Sequence, residues 1–153
     1  MERRGLPVRD DWVVRAGFAR KEAHEGAEMI LSGEERPTAV VCANDEVALA
    51  FIEVARAIGL WIPHDLSIIG FDDSVFARAT NPALTTVSQP VHSIAVEAAL
   101  TLVGMIEGST DEVSREISPF LVERGSTASL SSRDAGNTVA SSSPLWPPAA
   151  PLR

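Results

Sequence analysis

Apolar positions along the chain alternate between helical spacing and short continuous runs. From Ala19 to Leu31, Ala23, Ala27, Ile30 and Leu31 share one helical face, Glu22, Glu25 and Glu28 lie elsewhere, and Gly33 marks the stop. Before it, Trp12 to Ala16 is a short β-branched, strand-like run. After Pro37 comes Thr38 to Ala43, apolar throughout and short, as buried parallel strands are. Asn44 then stands where a helix N-cap belongs, with Asp45 and Glu46 in the first turn, where carboxylates suit the helix dipole. The helix that follows carries Val47, Ala48, Phe51, Ile52, Ala55 and Ile58, with Gly59 just past its end. The pattern repeats. Leu66 to Phe71 is a second buried strand and ends in Asp72, Asp73 and Ser74. A helical turn from Val75 to Ala79 stops at Asn81-Pro82, and Leu84 to Val87 is strand-like again. Pro90 opens a helix to Glu107 with Ile94, Ala98, Leu102 and Met105 or Ile106 along its face, stopped by Gly108. Ile117 to Val122 is the last strand. Strands alternating with helices define an α/β fold, a mostly parallel sheet with helices on both faces.

Composition sets the boundaries. The chain has 153 residues, enough for one domain with its own core. Its single cysteine, Cys42, excludes an internal disulfide framework. No apolar run is long enough to span a bilayer, and no apolar stretch follows Met1 to Gly5, so a cytoplasmic chain without membrane contact is expected. Residues 126–153 hold seven Ser and four Pro without apolar periodicity, and are expected to form a disordered tail behind a folded 1–125. Trp146 is the one residue of that tail suited to anchoring in a partner, but a passive tail is the simpler reading. Thirteen basic against 21 acidic residues give a net charge of −8, and Lys21 is the only lysine. That balance lacks the cationic footprint that phosphate backbones require. The expected partner is a small neutral or weakly polar molecule, or another protein.

Ligands of such sheets bind beyond the carboxyl ends of the strands. Three segments end there: Ala16-Gly17-Phe18, Cys42 to Asp45, and Phe71 to Ser74. Phe18 offers a flat apolar face, Asn44 an amide that donates and accepts, and Asp72 and Asp73 carboxylate acceptors. Such a set suits a sugar, and it suits a purine or nucleoside equally. Each residue also has a plainer role available: Asn44 as a helix cap, Asp73 as a cap of the following turn, Phe18 as core. Catalytic readings are weaker. Cys42 precedes a helix start, but Asp45 and Glu46 oppose a thiolate there. His24, His64 and His92 have no zinc-ligand spacing. Asp45 and Asp72 would be the pair to hold magnesium for phosphoryl transfer, yet no Gly-rich phosphate loop accompanies them. No enzyme activity, metal or cofactor is expected.

The text of residues 37–90 carries a resemblance. Pro37-Thr-Ala-Val-Val-Cys-Ala-Asn-Asp-Glu-Val-Ala48, then Gly59-Leu-Trp-Ile-Pro-His-Asp-Leu-Ser-Ile-Ile-Gly-Phe-Asp-Asp73, then Pro82-Ala-Leu-Thr-Thr-Val-Ser-Gln-Pro90 resembles the lactose/galactose repressor (LacI/GalR) family of bacterial transcription regulators. The resemblance runs from Gly5-Leu6-Pro7 to Glu123-Arg124-Gly125-Ser126-Thr127. It implies a sensor similar to periplasmic sugar-binding proteins, here an incomplete second lobe plus the helix returning to the first lobe, without the helix-turn-helix head. The implied function is effector sensing, with a sugar as the expected effector, DNA bound only through the head, and a homodimer in full-length form. The alternative is a solute-binding protein of the periplasmic type. By the resemblance, Phe18 stacks on the effector, Asn44 bonds it, Asp72 holds its hydroxyls or ring nitrogens, and Gln89 sits where the chain recrosses between lobes. Ala50 and Ala95 stand where the family often has glycine. The family's effector-binding arginine would lie upstream of Met1, or at Arg3 or Arg4.

Overall fold

The structure is a computed structural model and describes residues 9–15, 17, 20–33, 35–109 and 114–129. After a 3-10 turn at Asp10–Trp12 the elements run α1 (Arg20–Leu31), β1 (Ala39–Val41), α2 (Asp45–Ala57), β2 (Ser67–Phe71), α3 (Val75–Ala79), β3 (Thr85–Ser88), α4 (Val91–Ile106) and β4 (Phe120–Val122). The sheet order is β1-β2-β3-β4. The first three strands are parallel, with Val40 opposite Ile68 and Gly70 opposite Thr86, and β4 joins antiparallel with Val122 opposite Thr86. The mostly parallel α/β architecture expected from the alternation is therefore present.

The core forms where α2 lies on the sheet. Val40, Ile68 and Leu84 meet Val47, Phe51 and Ile52, while Ala23, Ala27, Ile30 and Leu31 of α1 close the layer behind. Small residues facing α2 let the two helices pack closely, and Arg20 pairs with Glu53 across them. Because α2 is enclosed by the sheet and α1, it is buried well beyond one stripe: Leu49, Ala50 and Val54 are inside as well. The opposite sheet face is more open. Val41, which alternates with the inward Val40, is 79% exposed.

Three boundaries differ from the expected ones. Trp12 to Ala16 forms no strand among the described residues. Asp10–Trp12 is a 3-10 turn, and Val13 to Arg15 are assigned to no element. β-Branching favours extended backbone but supplies no ladder partner. The last strand is only Phe120–Val122 rather than Ile117 to Val122. The packed structure also continues past residue 125. Ser126 is fully buried, its hydroxyl donates to Ile68 O and accepts from Thr85 N, and its carbonyl accepts from Ile68 N. Residues 130–153, with Trp146, lie outside the described residues.

Helix α4 has apolar side chains over most of its circumference, with Ser93, Glu97 and Thr101 on the remaining side. Ile94, Leu100, Leu102, Val103, Met105 and Ile106 are all exposed, and Gly104 is its only buried residue. Ile94, Ala98, Leu102 and Met105 line a groove against Ile117, beside the Glu97–Arg115 ion pair of 3.2 Å.

Candidate functional site

Parallel register puts the carboxyl ends of β1, β2 and β3 on one edge of the sheet. Cys42 N donates to Ile69 O, and Asp72 N donates to Val87 O, so each strand end is tied to its neighbour. Two of the predicted residues meet directly here. Gln89 Nε2 donates to Asp72 Oδ1 at 2.8 Å, and Asp72 is exposed, so its carboxylate faces solvent while being oriented by an amide. Asn44 stands at the end of the neighbouring strand β1, and its side-chain oxygen accepts from Val47 N at 2.8 Å, the N-cap of α2. Phe18 lies outside the described residues.

The turn carrying Asp72 is unusual. Asp72 has φ 108° and Asp73 φ 52°, two consecutive non-glycine residues on the left-handed side. Each such residue costs about 1–3 kcal/mol and persists only where surroundings over-determine it. The surroundings are explicit. Asp73 does not cap α3 as sequence allowed; it takes ion pairs from Arg124 and from Arg78, the latter at 3.0 Å. Burial pushes the Asp73 carboxyl up, but the hydrogen bonds from Arg124 and Arg78 outweigh it, and the group lies below its ordinary value. Arg124 also donates to Leu84 O at 2.8 Å.

Asp45 is the second anchor. It is 1% exposed, accepts from Ser74 N at 2.7 Å through Oδ2, and accepts from Thr86 Oγ1 at 2.6 Å through Oδ1. Its carboxylate is thereby committed to the protein, so the Asp45–Asp72 magnesium reading is corrected: one acid is buried in hydrogen bonds and the other faces solvent beside Gln89. Among the described residues no group of three or more His, Cys, Asp or Glu is placed to hold a metal. Gly70 makes the anchor possible, since a Cβ there would stand 2.3 Å from Asp45 Oδ1. Cys42 is buried, and burial first, then Asp45, push its thiol up to about 12, which removes it as a nucleophile. The anchoring role of Asp45 has no local signal in the sequence, because its partners Ser74 and Thr86 lie 29 and 41 positions away.

Residues 1–127 match the Peripla_BP_3 family, a periplasmic binding protein-like domain. The chain is 37% identical over 135 residues to the HTH-type transcriptional repressor PurR of Yersinia pestis (strain Pestoides F), covering 88% of this chain and 40% of that protein. The Escherichia coli transcriptional repressor AscG superposes with TM-score 0.77 at 28% identity, over 84% of this chain and 46% of that one. The transcriptional regulator CelR in complex with cellobiose gives TM-score 0.76 at 30% identity, over 82% of this chain and 38% of that one. An α/β layer with its polar groups gathered at the strand ends, and this match, define the class: the chain belongs to the periplasmic-binding-protein-like domain family. Within that class its structural relatives include LacI-family transcriptional regulators, and it spans about two fifths of the length of the PurR relative. The PurR and AscG relatives are transcriptional repressors.

Proposed function

We propose that this chain is the effector-sensing portion of a LacI-type transcription regulator. The carrying observation is the exposed Asp72 carboxylate, oriented by Gln89 on a left-handed turn at the carboxyl ends of the parallel strands. An ionised acceptor held at a fixed angle at that edge selects a ligand with hydroxyl or ring N–H donors. The effector is a sugar or related polyol, contacted by Asp72, Gln89, Asn44 and Phe18. Asn44 Oδ1 caps α2, which fixes the Asn44 side chain at the carboxyl end of β1. Cellobiose on the related CelR supports a saccharide, whereas the same amide and carboxylate groups would also suit a purine, which is the competing outcome.

The chain works without metal, cofactor or catalysis. It acts in the cytoplasm as part of a homodimer, and DNA is engaged through a head that the described fold does not contain. The net charge of −8 supports that division of labour. The periplasmic-type solute-binding alternative is not favoured, because the relatives are transcription repressors.

The test is calorimetric titration of the chain with D-galactose, D-ribose, cellobiose, hypoxanthine and guanine, repeated on Asp72→Ala. A saccharide that binds the wild type and is weakened roughly tenfold to 150-fold by Asp72→Ala is the expected result. Binding of a purine instead would replace the effector class. Unchanged binding by Asp72→Ala would refute the site.

A further inference from the structure

The site described so far presents Asp72, but nothing in Asp72 itself accounts for its conformation. Residues 72 and 73 both have positive φ, without glycine. What holds them lies one layer below. Asp45 Oδ2 accepts from Ser74 N at 2.7 Å, immediately after the turn. Asp45 Oδ1 accepts from Thr86 Oγ1 at 2.6 Å, and the same hydroxyl accepts from Asp73 N at 3.4 Å. Asp45 also directly follows Asn44 at the first turn of α2, so one buried side chain links the ends of β1 and β2 to β3.

We infer that Asp45, acting with Thr86, is the positioning residue of this site: its buried carboxylate holds the left-handed Asp72–Asp73 turn in the conformation that presents the Asp72 carboxylate. Asp45 touches no ligand; it acts through the amides of residues 73 and 74. Three facts support this role beyond simple packing. The two carboxylate oxygens have separate partners on separate elements, so the side chain measures a distance between β3 and the turn. Gly70 leaves room for Oδ1, which a Cβ would approach to 2.3 Å. The Arg124–Asp73 pair is a separate hold on the turn, so removing Asp45 or Thr86 should loosen one attachment and not the whole segment.

The role of Asp72 as ligand group rests on the proposed function; the brace does not, and the experiment separates them. Amide hydrogen exchange is measured on the full chain for wild type, Thr86→Val, Thr86→Ser and Asp45→Asn. Thr86→Val keeps the shape and removes the hydroxyl bridge, so it is the variant expected to fold. Exchange at Asp73 and Ser74 should rise roughly tenfold to 150-fold, the loss of a hydrogen bond to a charged group expressed as a ratio. Exchange at Ile52 and Ala55 of α2 should stay within about threefold, and Thr86→Ser should restore the turn. A merely structural residue would raise all of these together. Equal exchange at Asp73 and Ser74 in wild type and Thr86→Val, or a uniform rise across α2, overturns the inference. The second arm titrates the same variants with D-galactose, D-ribose and cellobiose. Weaker binding by Thr86→Val with recovery in Thr86→Ser confirms positioning for ligand. A loosened turn with saccharide binding unchanged, in Thr86→Val and Asp72→Ala alike, overturns Asp72 as ligand group and leaves the brace intact.

Discussion

Replacing Gly70 by alanine should be the most damaging single-methyl change in the sheet. A Cβ at this position would stand 2.3 Å from Asp45 Oδ1, 2.9 Å from Leu84 Cδ2 and 3.3 Å from Asp45 Cα. Leu84 can rotate, but Asp45 is fixed at both oxygens and its backbone begins α2. Overpacking of a close-packed core costs about 1–3 kcal/mol. Displacing Asp45 adds a hydrogen bond to a charged group, about 1.5–3 kcal/mol each. The expected loss is therefore roughly 2.5–6 kcal/mol, a large share of the 5–15 kcal/mol typical of a domain. Urea unfolding followed by circular dichroism measures it. Gly59→Ala is the control: φ is +81° there but nothing lies within 4 Å, so only backbone strain applies, about 1–2 kcal/mol. In an Asp45→Ala background the Gly70→Ala cost should shrink by about 1–3 kcal/mol, because the clashing oxygen is gone. A Gly70→Ala protein within 1 kcal/mol of wild type, or additive losses in the double variant, would refute the close packing of Asp45 on β2.

Other outcomes follow from the same geometry. Asn44→Ala should lower stability by about 1 kcal/mol through loss of the α2 cap, whereas Asn44→Asp should keep most of it, as thermal unfolding will show. Asp73 is depressed in the folded state, so its contribution is present above its unfolded value of 3.8 and is lost as pH falls through the lower folded value; Arg124→Met should move that loss to higher pH in acid-unfolding curves. Cys42, with its thiol pushed to about 12, should resist a disulfide reagent at pH 8 in the folded chain and react at the rate of global opening. Glutamate at Leu100 and Ile106, both exposed on α4, should reduce binding of a hydrophobic dye and the apparent mass in light scattering.

Local rules made much of the fold legible. The Asn44 cap, the burial of Ala23, Ala27, Ile30 and Leu31, and the strand that follows Pro37 each depend on neighbours within a turn or on side-chain period. The features that the sequence could not display are those made by residues far apart. Gln89 reaches Asp72 across 17 positions, and Asp45 reaches Thr86 across 41. Asp45 read as an acid favouring a helix dipole, or as half of a metal pair, because burial is not visible in a local window. Ser126 was counted into a Ser-rich tail for the same reason: composition describes an average, and one serine in it closes two strands. The α4 stripe given by periodicity, Ile94, Ala98, Leu102 and Met105, lines the groove against Ile117, while Leu100 and Val103 outside that stripe are exposed as well.

The position of Ser126 has a consequence for how the chain is made. Its hydroxyl and carbonyl satisfy Thr85 N and both backbone groups of Ile68, yet it is synthesised 58 residues after Ile68. At ribosomal rates of about 5–20 residues per second, the start of β2 waits roughly 3–12 s for its partner. During that interval the nascent β2 and β3 expose unpaired amides on an apolar strand, the condition under which chaperones engage a chain. Closure of this part of the sheet thus waits on a residue made long after the strands that it joins.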